Sequence, residues 1–201
     1  RSYALSPNSD MGYPWWTQRA DNHAMDTYVL GYGHNYKKAL KDFTTFAGKV
    51  PLPPRYAFGY WWSRYWSYSD DELRDLTAKF DAYDIPLDVL VIDMDWHYVN
   101  PGRGGWTGYT WNRSLFPNPA QFLQYLKGKK LQVTLNLHPA GGIEPYEERY
   151  KDMANWMGMD PSSKQRIDYC GSDKRFMSGW LNTILRPMEK EGVDFWWLDW
   201  Q

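Results

Sequence analysis

Apolar residues recur at two different spacings along this chain, and each change of spacing predicts a new element. From Asn35 to Gly48, Tyr36, Leu40, Phe43 and Phe46/Ala47 share one face at helical period, with Asn35 as the cap and Gly48 as the stop. The segment "KVPLPPRY" then reads as a stiff linker, because its three prolines lack the donors that a helix or central strand needs. Beyond it, "YAFGYWW" (56–62) predicts a strand, and "SDDELRDLTAKFDAY" a helix with Leu73, Leu76, Phe80 and Tyr83 on one side and a Ser69/Glu72 capping box. "PLDVLVIDMDW" (86–96) is a near-continuous apolar run, the mark of a strand buried on both faces.

A polar, glycine-rich loop (97–117) precedes a helix opened by Asn118 and Pro119, with Phe122, Leu123 and Leu126 inward and Gly128 at its end. "LQVTLNLHP" (131–139) is a third strand, and a second long loop runs to about residue 171. A helix carrying Phe176, Met177, Trp180, Leu181, Ile184, Leu185 and Met188 follows, with a kink expected at Pro187 and a stop at Gly192. "VDFWWLD" is the fourth strand. Residues 1–33, by contrast, mix turn formers with brief aromatic runs and predict irregular chain with at most two short strands.

Strand, helix, strand, helix with right-handed crossovers implies parallel pairing and an α/β fold. Both an open doubly wound sheet and a (β/α)8 barrel satisfy that order. No Gly-rich turn of the G-x-G-x-x-G or P-loop type follows any strand. Ionisable residues stand instead at strand ends, at Asp93/Asp95, His138 and Asp199, where a barrel gathers its chemistry. The reading is therefore the first half of a TIM (β/α)8 barrel over residues 55–201, preceded by a connecting helix and linker at 34–54. A closed barrel takes about 250 residues and eight strands. Four strands would leave unpaired edges, so the chain is expected to be a piece of a longer protein.

Composition narrows the partner. A formal net charge of −1 gives no electrostatic pull toward nucleic acid, and no apolar run reaches the ~18 residues of a membrane span. Cys170 is the single cysteine, which excludes a disulfide within the chain. Aromatic residues are 18% of the sequence and cluster at 56–68, 95–111 and 195–200. Flat apolar rings suit an ordinary core and equally the C–H faces of sugars.

The chemistry-bearing residues sit among those rings. A period of two puts Phe195, Trp197 and Asp199 on one strand face, with the carboxylate last, where aromatic walls would lower the local dielectric. A capping or salt-bridging aspartate would look the same. Asp93, Asp95 and His97 alternate likewise, so D-x-D-x-H would present three polar groups to one side. They could ligate zinc or manganese, but groups so placed more often grip a polyhydroxyl substrate or pair with basic residues of neighbouring strands, and no metal or cofactor is expected. His138 is either a substrate-facing group or a satisfied core histidine. Serine or cysteine nucleophile chemistry lacks its motifs. Carboxylates among aromatic walls point to glycoside chemistry, in which one attacks the anomeric carbon and another protonates the leaving oxygen.

"PLPPRYAFGYWWSRYWSYSDDEL", "IPLDVLVIDMDW" and "GVDFWWLDWQ", in this order and spacing, resemble glycoside hydrolase family 31, the α-glucosidase and α-xylosidase family. The likeness covers about residues 27–201, and "TYVLGYGHNYKKALKDFTTFAGKVPLPP" is similar to the family's passage from an N-terminal β-sandwich into its barrel, which would make 1–33 the end of that sandwich. The resemblance implies that Asp199, in a W-L-D segment, is the nucleophile, and that Asp93 of "IDMD" grips hydroxyls of the sugar in the −1 subsite. Trp197 and Trp200 resemble pocket-lining positions. His138 stands where many members carry Asp before Pro, Tyr65 where Trp is frequent, and W-L-D-W-Q replaces the commoner W-I-D-M-N-E; these departures bear on sugar identity and mark a distinct branch. The family's acid/base Asp would lie past residue 201. A retaining exo-α-glycosidase with a carbohydrate substrate is implied, an α-galactosidase-type barrel and a non-catalytic carbohydrate-binding protein being the rivals.

Overall fold

The computed structural model describes residues 28–99 and 106–199. They fall into two units, one ending at Pro53 and the other beginning at Pro54. Of the two short strands expected within residues 1–33, none forms over 28–33, where the chain turns into a helix instead; residues 1–27 and Trp200 lie outside the described residues.

The first unit contains helix α1 (Tyr36–Ala47). Asn35 caps it by accepting the Lys38 N–H at 3.3 Å, and Gly48 ends it at a φ of +87° that disfavours any side chain. Its predicted apolar face forms, but no residue of α1 is buried. Phe46 instead stacks on Tyr28 and meets Phe43 edge-on.

The second unit is a parallel sheet, order β1 (Trp61–Trp62), β2 (Val89–Ile92), β3 (Gln132–Leu137), β4 (Phe195–Leu198). Between the strands run α2 (Asp70–Ala82), α3 (Pro119–Gly128), α4 (Tyr150–Met157), α5 (Lys174–Gly179) and α6 (Arg186–Glu191). The register sorts the side chains. Leu90 and Ile92 lie level with Val133 and Leu135, and with Leu73, Phe122, Leu126, Ile184 and Met188 they form the core under the helices. Trp196 donates its indole N–H to Glu189 of α6 at 2.9 Å, and Trp62 meets Phe80 of α2, so this is the helix side. The opposite face carries Trp61, Val89, Val91, Thr134, Asn136, Phe195 and Trp197. Trp61 and Phe195 touch edge-on, 5.4 Å between centroids, although two strands separate theirs. In a flat sheet three strand spacings would hold them about 14 Å apart with side chains parallel. This face is therefore concave, as a barrel interior must be.

Several predicted elements differ from those observed. The first strand is two residues rather than seven, because Arg55–Phe58 wind into a 3-10 turn behind Pro54. Gly59 then packs on the Asp88 carboxylate, which accepts the Tyr60 N–H at 3.0 Å and leaves no room for a Cβ at position 59. The second strand ends at Ile92 rather than Trp96, since Asp95 adopts a φ of +76° and turns the chain out of the sheet. Tyr83 caps α2 and is exposed rather than inward. The long loop before residue 171 contains α4, with Tyr150, Met153 and Ala154 buried and Gly158 closing it in the left-handed region. At Pro187 the helix does not merely kink. A wide π turn (Trp180–Leu185) joins α5 to α6, because the proline cannot donate to the Thr183 carbonyl and its ring pushes that carbonyl aside.

Candidate active site

Asp93, His138 and Asp199 each follow the last residue of a strand, β2, β3 and β4 respectively. Each continues the alternation of the concave face: Val89, Val91, Asp93; Thr134, Asn136, His138; Phe195, Trp197, Asp199. The Asp199 N–H donates to the Leu137 carbonyl at 2.9 Å, which extends the β3–β4 ladder by one residue and sets the carboxylate beside His138. The His138 Nε2 lies 3.7 Å from the Asp199 Oδ2, an ion-pair distance, with the imidazole buried and the carboxylate about one third exposed. Trp106 closes over His138 edge-on, 5.1 Å between ring centroids. Thr107 donates its hydroxyl to the His138 carbonyl and accepts the Gly141 N–H at 3.0 Å.

Asp93 is half-buried, and burial holds its carboxyl above the usual carboxylate range. The Met94 N–H, 2.7 Å from Oδ1, and His138 pull it down, while Asp199 and Asp95 push it up, so the three strand-end groups share one field. Trp197 stands one level below Asp199, paired in register with Asn136. Tyr65 is 67% exposed on the turn between β1 and α2, and among the described residues it has no hydrogen bond or ring contact with the three.

The D-x-D-x-H pattern does not hold together. Asp95, turned by its positive φ, accepts the Ser67 hydroxyl, and His97 is fully buried, bridged to Trp111 with its ring against Trp96. Among the described residues no three His, Cys, Asp or Glu side chains are placed so that together they could hold a metal ion. A cleft of about 720 Å³ borders Asp95, His97, Tyr98, Trp111 and Tyr146, next to the chain that follows Asp93 rather than around Asp199.

Sequence reasoning missed Trp106, Thr107, Asn136 and Glu147. Asn136 had a signal, since Thr134, Asn136 and His138 are polar at period two within an apolar strand. The others lie in loops, where no periodicity speaks.

Two buried titratable groups flank this region with opposite consequences. Burial drives the His97 imidazole down to about 4, against the Tyr98 carbonyl and Asp95, which raise it. Burial also drives the Glu147 carboxyl up to about 7, against hydrogen bonds from Thr110 and Tyr109, with Glu144 and Glu148 adding repulsion. Protons bound by the unfolded chain in excess of the folded one make stability rise with pH, and the reverse makes it fall. His97 thus adds stability as pH climbs from 4 to 6.5, and Glu147 removes it between 4.5 and 7. The two slopes nearly cancel. Glu147→Gln should expose the difference: its stability relative to wild type, from urea midpoints, should grow by on the order of 2–3 kcal/mol between pH 4.5 and 7.5. A constant difference across that window would show that Glu147 is not held protonated by burial.

The family model for the glycosyl hydrolases family 31 TIM-barrel domain matches residues 50–201. The chain is 35% identical over 133 residues to Alpha-glucosidase 2 of Bacillus thermoamyloliquefaciens, covering 66% of this chain and 16% of that one. It is 32% identical over 129 residues to the Alpha-xylosidase of Saccharolobus solfataricus, covering 64% and 17%. It therefore spans about a sixth of the length of these relatives. Among solved structures, the GH31 alpha-xylosidase of Xanthomonas citri superposes with a TM-score of 0.61 at 20% identity, over 83% of this chain and 19% of that one, a likeness of fold. With parallel strands, a concave inner face and a family match over three quarters of its length, the chain belongs to glycoside hydrolase family 31 and carries part of its TIM-barrel domain.

Proposed function

We propose that the protein is a retaining exo-α-glycosidase that removes terminal α-linked sugars, α-glucosides foremost, through a covalent glycosyl-enzyme intermediate on Asp199. The observation that carries this reading is the convergence of Asp93, His138 and Asp199 at the ends of three neighbouring strands, the end where TIM barrels do their chemistry. Relatives named as an alpha-glucosidase and an alpha-xylosidase support the substrate class.

In this mechanism an Asp199 oxygen attacks the anomeric carbon as the bond to the leaving oxygen breaks, and a second carboxylic acid protonates that oxygen. The same second group then deprotonates water, which cleaves the ester and returns Asp199 as carboxylate. Two inversions give net retention, and the two carboxyl groups would stand about 5–5.5 Å apart. Asp93, whose proton burial favours, holds sugar hydroxyls at the pocket wall, and His138 shapes the field around Asp199.

A panel of nitrophenyl glycosides tests the reading with the intact protein. The α-glucoside should turn over fastest and release the α-anomer first, as seen by proton NMR during the first turnovers. Preference for the α-galactoside or α-N-acetylgalactosaminide would move the protein to an α-galactosidase-type specificity. An initial β-anomer, or sugar binding without any turnover, would defeat the proposal.

A further inference from the structure

Glu147 is a carboxylate that glycoside chemistry at Asp199 does not use, and it is 4% exposed. Its Oε2 accepts the Tyr109 N–H at 3.2 Å and the Thr110 hydroxyl. That hydroxyl in turn accepts the Glu148 N–H at 2.9 Å, so two consecutive residues after β3 grip two consecutive residues of the β2–α3 loop. Two positions upstream of Tyr109, the same loop reaches the site: Thr107 binds the His138 carbonyl, and Trp106 covers the His138 ring. The loop's other edge is tied to the chain leaving β2, through Tyr98 N–H to the Thr110 carbonyl at 2.7 Å and Asn112 N–H to the Trp96 carbonyl at 2.8 Å. Segment 106–112 therefore spans from the exit of Asp93's strand to the exit of His138's. A buried carboxylate costs free energy unless it is hydrogen-bonded, which gives Glu147 a reason to hold both donors.

We infer that Glu147 is a positioning residue for the site: by fixing Tyr109 and Thr110 it holds Trp106 and Thr107 against His138, and through them sets the imidazole beside Asp199. This rests on the functional reading of His138 and Asp199 given above. Glu147 touches no reacting atom. Its influence is geometric, and displacement of a catalytic wall by about 1 Å can cost about 10²-fold in rate. A glutamine at 147 retains an acceptor oxygen for both donors, whereas an alanine retains none.

The test uses Glu147→Ala, Glu147→Gln, Thr107→Val and the double variant Glu147→Ala/Thr107→Val in the intact protein. Glu147→Ala should lower kcat by about tenfold to 10²-fold with KM changed much less, and Glu147→Gln should restore most of it. Amide hydrogen exchange at Tyr109, and at Glu148, whose N–H rests on the Thr110 hydroxyl, should quicken in Glu147→Ala and stay slow in Glu147→Gln. The double variant should be little worse than the more damaged single, because both act through one wall. A folded Glu147→Ala with fast exchange and wild-type kcat would overturn the inference, as would fully additive losses in the double variant. Should Glu147→Ala not fold, Thr110→Val removes the hydroxyl half of the clamp and is judged by the same outcomes. A wild-type protein that turns over no glycoside defeats the proposed function itself, whereas an active wild type with an indifferent Glu147→Ala defeats this inference alone.

Discussion

Asp199→Ala is expected to lower kcat toward α-glycosides by about four orders of magnitude or more while leaving the protein folded, the scale seen when a covalent nucleophile is deleted. The fold should tolerate the change. Asp199 lies past the end of β4, about one third exposed, and its ladder bond to the Leu137 carbonyl uses its backbone N–H, which alanine keeps. Sugar affinity should partly survive, because Asp93, Trp197 and the Trp106–His138 wall remain. Small anions offer a sharper check. On the proposed mechanism the gap left by the carboxylate would admit azide to the anomeric carbon, so azide should restore turnover and yield a glycosyl azide of inverted configuration. A variant within tenfold of wild type, at equal folded fraction, would remove Asp199 from the nucleophile's role.

Trp96→Ala carries the largest expected loss of stability, on the order of 4 kcal/mol, within the 3–5 kcal/mol typical of large aromatic truncations in a core. Trp96 is 1% exposed, and its ring meets Trp111 at 5.0 Å and His97 at 5.1 Å, both edge-on. Its indole N–H donates to the Asn136 carbonyl at 2.8 Å, which fastens the chain leaving β2 to β3. Truncation thus opens a cavity and leaves a buried acceptor unpaired, a further cost that overlaps with the first. Trp96→Phe keeps much of the packing and loses the hydrogen bond, so it should cost roughly 1–2 kcal/mol. Urea midpoints at one pH order the three proteins. A loss below about 1 kcal/mol for Trp96→Ala would mean the loop can collapse into the space, contrary to the packing described. Because single domains are stable by only about 5–15 kcal/mol, a loss of the expected size should also shrink the folded population of a marginal protein.

Parallel order, the four strand positions and the helices under the sheet were legible because burial on two faces and on one face leaves different periods. Ser69 and Glu72 announced the start of α2, and Asn118 with Pro119 that of α3, since caps are local chemistry. Helix α4 escaped notice although Tyr150, Met153 and Ala154 recur at helical spacing before Gly158, because eight residues inside a polar stretch make a weak period. The D-x-D-x-H alternation misled for the opposite reason. Alternation predicts a shared face only while the strand lasts, and the left-handed turn at Asp95 ends that geometry three residues past Ile92.

From the residues alone, Asp93, His138 and Asp199 could be placed near the C-terminal ends of three apolar strands, each on a known alternating face, but not the stop of β2 at Ile92, because period two assigns a face and not an end. That His138 reaches Asp199 and that Asp93 shares their field follows from the curvature of a sheet whose strands are dozens of residues apart in the chain. Only the tertiary structure decided that Trp106, Thr107 and Glu147 belong to the same assembly. Loops obey no period, and their side chains find one another through the path of the folded backbone, which no local pattern of polar and apolar residues records.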